Sequence, residues 1–212
     1  MKAIIIGASG ATGTKLVDAL LADVQYKNVT IFVRNTTTRK HPKLTEYVID
    51  FSRIEDYAEY IIGDVLFSCL GTTLAKAGSK ENQWKIDFDI PAKFAEIARK
   101  NNIKSVILVS SFGASASSKI FYSMMKGKLE EKLSALRFEQ YIIFRPGALV
   151  RPDSDRVGEK TAVKALKLSN KIGIFKKYRP LKTNVLADKL AKAPKTSLKG
   201  EVIIELDKIF NF

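Results

Sequence analysis

Tyr122 and Lys126 stand four residues apart in FYSMMKGKLEEKL, Phe121 to Leu133. On a helix that spacing puts both side chains on one face, one turn apart, where they can address the same ligand. A phenol beside an ammonium is a possible proton-transfer device, but also an ordinary pair of amphipathic residues on a helix flank. The decision rests on what the remaining chain builds around them. The segment IIIGASGATG supplies a second chemical element, with Gly7, Gly10 and Gly13 at the end of a first strand and the start of a first helix. Glycines there allow a tight turn and a close approach of a pyrophosphate to the backbone, and the helix N-terminus offers unpaired N–H groups to the phosphates. The spacing is Gly-x-x-Gly-x-x-Gly. The strand TIFVRN then ends in Arg34, with Arg39 and Lys40 nearby and no Asp or Glu in position. An acidic residue at that place bonds the ribose 2′-hydroxyl of NAD, whereas an arginine accommodates the 2′-phosphate of NADP. NADP is therefore expected, NAD less so.

These residues need a frame, and the chain alternates strand-like and helix-like stretches. Ala3–Ile6, Val29–Val33, Glu46–Ile49, the run from Asp64, KSVILVSS from Lys104 and QYIIFRPG read as strands. Thr14–Leu21, RIEDYAEYI, IPAKFAEIARKNN and about 118–136 read as helices between them. Alternation of this kind implies right-handed crossovers and a mostly parallel sheet with helices on both faces, an α/β doubly wound Rossmann-type fold. After Pro146–Gly147 the regularity falls away. A single domain over 1–212 is expected, with a dinucleotide-binding core at 1–150. The region 151–212, containing two helices (TAVKALKLSNKIGIF with its turn, and VLADKLAKA) and a last strand, EVIIEL, would form a small C-terminal cap that shapes a substrate pocket.

Composition sets limits on function. The 212 residues are 46% hydrophobic and 27% charged, ordinary for a globular chain. No apolar run approaches the ~18 residues that span a bilayer, and the N-terminal apolar run reads as a core strand rather than a signal peptide. One cysteine, Cys69, excludes an intrachain disulfide and fits a reducing compartment, so a cytoplasmic location is expected. With one histidine beside it, a structural zinc site is not expected. The formal charge is +14, and residues 151–200 carry 14 Lys/Arg against 4 Asp/Glu. A solvated lysine-rich face explains this most simply; contact with a polyanion is the alternative.

Four patches, GASGATG, VIDFSRIEDY, FSCLGTTLAKAGSKENQWKIDFD, and VSSFGASASSKIFYSMMKGKLEEKL leading to FRPGALV, occur in that order between Lys2 and Val150. Together they resemble the atypical NADP-binding branch of the short-chain dehydrogenase/reductase superfamily that contains the Tat-interacting oxidoreductase-like proteins. The resemblance implies that Ser9, Gly10, Ala11 and Thr12 hold the pyrophosphate, with Gly7 and Gly13 shaping the turn. It implies that Arg34 and Asn35 meet the 2′-phosphate, and that Asp50 and Phe51 bracket the adenine. Cys69, Leu70 and Gly71, with Thr72 and Thr73, would line the ribose and the centre of the cofactor. Pro146 and Gly147 would form the turn past the nicotinamide.

The resemblance also gives Tyr122 and Lys126 their roles. A free phenol titrates near ~10, and an ammonium close by stabilises its phenolate. The tyrosine can then exchange a proton with a carbonyl or alcohol oxygen, while the lysine also bonds the nicotinamide ribose. Ser110 and Ser111 both qualify for the third hydroxyl, and the family pattern favours Ser111. The implied activity is an NADP-dependent oxidoreductase acting on a small carbonyl or alcohol substrate. The competing expectation is a dinucleotide-binding regulatory or partner-binding protein with little turnover. Asp87 reads as a helix cap, Trp84 as a cover for the cofactor or as packing, and Gly127 as a sign of close packing.

Overall fold

The computed structural model of the protein describes residues 1–150 and 176–212. β1 (Lys2–Ile6) is apolar from Ala3 onward and those residues are buried, as expected of a parallel strand covered on both faces. β2 (Asn28–Val33), β4 (Val65–Ser68), β5 (Ser105–Val109) and β6 (Gln140–Arg145) are buried in the same way, whereas β3 (Leu44–Val48) is a half-exposed edge. β7 (Leu149–Val150) and β8 (Leu181–Lys182) form a separate two-residue parallel pair. β9 (Gly200–Glu205) returns to the main sheet beside β6. Among the described residues that sheet has seven strands in the order β3–β2–β1–β4–β5–β6–β9, all parallel.

Helices cover both faces. On one, α1 (Ala11–Ala22) and α6 (Thr183–Lys192) bury Leu16, Leu20, Leu186 and Leu190 against Ile5, Phe67 and Ile107. On the other, α4 (Ile90–Lys100) and α5 (Phe121–Ser134), with the 3₁₀ turn Ile54–Tyr60, close over Ile4, Phe32, Leu66 and Ile143. The strand order reverses direction between β1 and β4, which opens a crevice at their C-terminal ends. The Rossmann-type expectation is therefore met.

Two differences from the sequence reading matter. The described part of the C-terminal region, 176–212, is built into the core rather than laid over it: β9 is the seventh strand and α6 packs on α1. The expected helix and turn at 161–175 lie outside the described residues. The second difference is between β4 and β5. Here α2 (Leu74–Ala77) and α3 (Lys80–Trp84), capped by the hydroxyls of Thr73 and Ser79, precede α4. A π-helical turn, Lys85–Asp89, joins α3 to α4 without a break.

Candidate active site

The first wall of the crevice is the glycine turn. Gly7 has φ +80°, and a Cβ there would lie 2.6 Å from the backbone of Cys69 and Leu70. Glycine thus permits both the left-handed turn and the contact between the β1 and β4 ends. Gly10 caps α1 with no side chain bonded to the first-turn N–H groups and no acidic residue in that turn, so the helix end suits an anion. Gly7, Ser9, Gly10, Arg34, Phe51, Cys69, Leu70, Gly71 and Lys76 line the half of the crevice beside the end of β2, about 260 Å³. A contiguous cavity of about 630 Å³ continues past Gly10, Ala11, Thr12 and Cys69–Thr73 to Ser110, Tyr122 and Lys126.

Several expected residues take other parts. Arg39 is held by Asp18 of α1 at 2.6 Å, leaving Arg34 as the strand-end arginine on the cleft wall. Asn35 is exposed and outside the lining of both halves. The Asp50 carboxylate accepts the Ser52 N–H and O–H, both at 2.8 Å, which holds its pKa down. It closes a turn while its neighbour Phe51 faces the cleft. Desolvation pushes the Cys69 thiol up to about 12, against a smaller pull from the Lys126 charge, so it stays protonated near neutral pH and offers little beyond its backbone. Gly13 is buried at the helix start. Pro146 accepts the Phe112 N–H at 3.0 Å, and beyond the exposed Gly147 it is Leu149 that reaches the cavity.

Tyr122 and Lys126 lie on one face of α5, with the Lys126 ammonium 5.9 Å from the Tyr122 ring centroid. Lys126 is 2% exposed, a setting that a cation occupies only when compensated. Its Nζ stands 3.2 Å from Oδ1 of fully buried Asp87, in the middle of the π-turn, and donates to the Leu70 carbonyl at 3.5 Å. The other Asp87 oxygen accepts the Thr72 N–H at 2.8 Å, and buried Gln83 donates to the Thr72 carbonyl. Asp87 is therefore the counter-ion of the lysine rather than a helix cap, and the spacing of 39 residues hid the pairing. Trp84 packs against Phe88 and Phe121.

The structure separates the two serines. Ser110 is 6% exposed, lines the cavity, and its hydroxyl has no hydrogen-bond partner within the protein. Ser111 turns its hydroxyl to the Phe112 carbonyl at 3.4 Å and is not part of the cavity lining. The loop that follows crosses α5 at Gly127, where a Cβ would meet Ala116 N and Ser115 C at 2.2 Å. The expected close packing is there, and it fixes the serine loop on the helix that carries Tyr122.

Residues 7–171 match the family model described as NAD(P)H-binding. The chain belongs to that NAD(P)H-binding family. Proteins similar to it include Protein FMP52, mitochondrial, of Candida albicans, 36% identical over 76% of this chain and 74% of that one. Protein HTATIP2 of Rattus norvegicus is 38% identical over 69% of this chain, which spans 62% of the rat protein. Among solved structures, a short-chain dehydrogenase/reductase superfamily protein from Agrobacterium tumefaciens with bound NAD has a TM-score of 0.74 at 11% identity, covering 97% of this chain and 77% of that one. The fold is thus the one on which NAD binds in that relative, and the glycine turn and uncapped α1 terminus suit a nicotinamide dinucleotide. The cytoplasmic expectation is overturned: FMP52 relatives from several fungi are named mitochondrial. Among the described residues no helix is long and apolar enough to cross a membrane, and no group of three or more His, Cys, Asp or Glu could hold a metal.

Proposed function

We propose that the protein is an NADP-dependent oxidoreductase of the short-chain dehydrogenase type, interconverting a small carbonyl compound and its alcohol. The carrying observation is that Tyr122, Lys126 and Ser110 line one cavity that shares Gly10 and Cys69–Thr72 with the dinucleotide crevice. When bound, the cofactor supplies or accepts the hydride. Ser9, Gly10, Ala11 and Thr12 hold its pyrophosphate at the α1 terminus. Arg34 and Lys76 meet the 2′-phosphate; among the described residues lining the half beside the end of β2 none is acidic. That composition is the basis for preferring NADP to NAD.

Tyr122 donates its proton to the substrate oxygen in reduction and accepts it in oxidation. Lys126 bonds the cofactor ribose, and Ser110 orients the substrate oxygen. Ser110 takes the role that the family pattern gave to Ser111, because of the two it is Ser110 that lines the cavity. The mitochondrial relatives make a mitochondrial location the natural proposal, to be checked by fractionating cells that express the tagged protein. The activity is tested by following NADPH absorbance with a panel of small aldehydes and ketones. Turnover of at least one supports the reading. Tight NADPH binding with no turnover across the panel supports a regulatory binding protein instead.

A further inference from the structure

We propose that the substrate is an oxo acid, a carbonyl compound with an apolar body and a carboxylate, and that Lys80 binds the carboxylate and so sets specificity. This rests on the proposed function, with Tyr122 at the carbonyl oxygen. Beyond Tyr122 the cavity has an apolar side made by Leu74, Ile120, Phe121 and Leu149. Lys80 lines the same cavity, with its ammonium 5.5 Å from the Phe121 ring centroid. Among the described residues lining the cavity none is acidic.

The three lysines of the lining are not equivalent. The Lys126 charge faces Asp87 at 3.2 Å, and Lys76 also borders the half of the crevice beside β2, where the proposed function gives it to the cofactor. Lys80 borders only the Tyr122 side, and no carboxylate among the described residues forms an ion pair with it. A cleft lined by one sign of charge, with apolar walls, draws in the opposite charge more strongly than an open surface does. The place of Lys80 is set by packing. It begins α3 (Lys80–Trp84), and Trp84 at the other end packs on Phe121, 6.3 Å between ring centroids. The apolar side has no evident structural purpose. Ile120 is 68% exposed and Leu74 47%. Ile120 also holds the N-cap of α5 with no side-chain cap bond, where Ser, Thr, Asp or Asn would serve the helix better. Exposed apolar groups gathered at a cleft with a polar rim mark ligand grooves, and an apolar substrate body covers these. In reduction the carbonyl carbon takes a hydride from NADPH, its oxygen takes the Tyr122 proton, and the carboxylate is unchanged.

Steady-state reduction of ortho-, meta- and para-formylbenzoate and of para-formylcinnamate, each against its methyl ester, tests the inference with NADPH. The series steps the carboxylate away from the aldehyde. For at least one acid the parent's kcat/KM should exceed that of its ester about tenfold, the worth of one charged hydrogen bond, with the difference in KM. In Lys80→Gln the acid-to-ester ratio should fall to about one, and Lys80→Glu should favour the ester. Lys80 is exposed, so neither change disturbs the core. Acids and esters reduced equally well by the parent, or an acid preference that survives Lys80→Gln, would overturn the inference and leave the oxidoreductase reading intact. Reduction of other aldehydes but of none of these compounds would do the same. If NADPH binds and no carbonyl compound is reduced, the proposed function fails and the inference falls with it.

Discussion

Replacing Gly127 with alanine inverts a familiar expectation. In a helix interior Gly→Ala normally stabilises by ~1 kcal/mol, and Gly127 lies well inside α5. Here the added methyl would sit 2.2 Å from Ala116 N and Ser115 C and 2.6 Å from Ser115 Cα. These are backbone atoms, and Ser115 N–H is bonded to the Ser123 carbonyl at 3.0 Å, so no side-chain rotation relieves the overlap. Overpacking of this kind costs ~1–3 kcal/mol. With rigid atoms on the far side the upper end applies, and subtracting the helix gain leaves a net loss of about 2 kcal/mol. For a chain of this size that is a fall in Tm of roughly 4–8 °C, measured by thermal and urea denaturation. Turnover should fall further than the unfolded fraction explains, because the loop pushed off α5 carries Ser110. A Gly127→Ala protein as stable as the parent, or more so, would refute the reasoning.

The other predictions concern the cofactor, the hydroxyl and pH. Arg34→Gln should weaken NADPH binding roughly ten- to a hundredfold, the equivalent of one charged hydrogen bond of ~1.5–3 kcal/mol, and leave NADH nearly unchanged in the same fluorescence titration. Ser110→Ala should lower kcat at least about tenfold, with Ser111→Ala close to the parent in steady-state rates. The Asp23 carboxylate accepts a hydrogen bond from Lys195 at 2.5 Å and another from Gln25 N–H, and these hold its pKa below the usual value. A lowered folded-state value means stability that is present above the unfolded value near ~3.9 and lost as pH falls through the folded one. Asp23→Asn should therefore lower Tm at neutral pH, by an amount that shrinks as pH falls below the unfolded value.

The sheet was legible because its strands are short β-branched and aromatic runs with helix-length patterns between them. The glycine turn was legible because a conformational demand selects its residue type. Contacts between distant elements were not. Asp87 and Lys126 are 39 residues apart, and the π-turn that aims Asp87 inward leaves no periodic signal in KENQWKIDFD. Ser110 and Ser111 differ by one position, and successive residues at a strand end point to opposite sides; only the observed course of the chain after β5 tells which serine lines the cavity. β9 could be read as a strand but not assigned a neighbour, since a parallel partner can come from any earlier strand. The resemblance assigns Asp50 to the adenine site, and the sequence gives no sign that a serine two residues on engages its carboxylate.

The central claim is that Tyr122 moves the proton in a cavity that the dinucleotide shares. It is tested most directly by Tyr122→Phe on a carbonyl substrate found in the panel, with NADPH affinity measured beside turnover. The ring remains and only the hydroxyl is lost, so NADPH should bind within about twofold of the parent while kcat falls at least about a hundredfold. Full turnover by Tyr122→Phe would contradict the account.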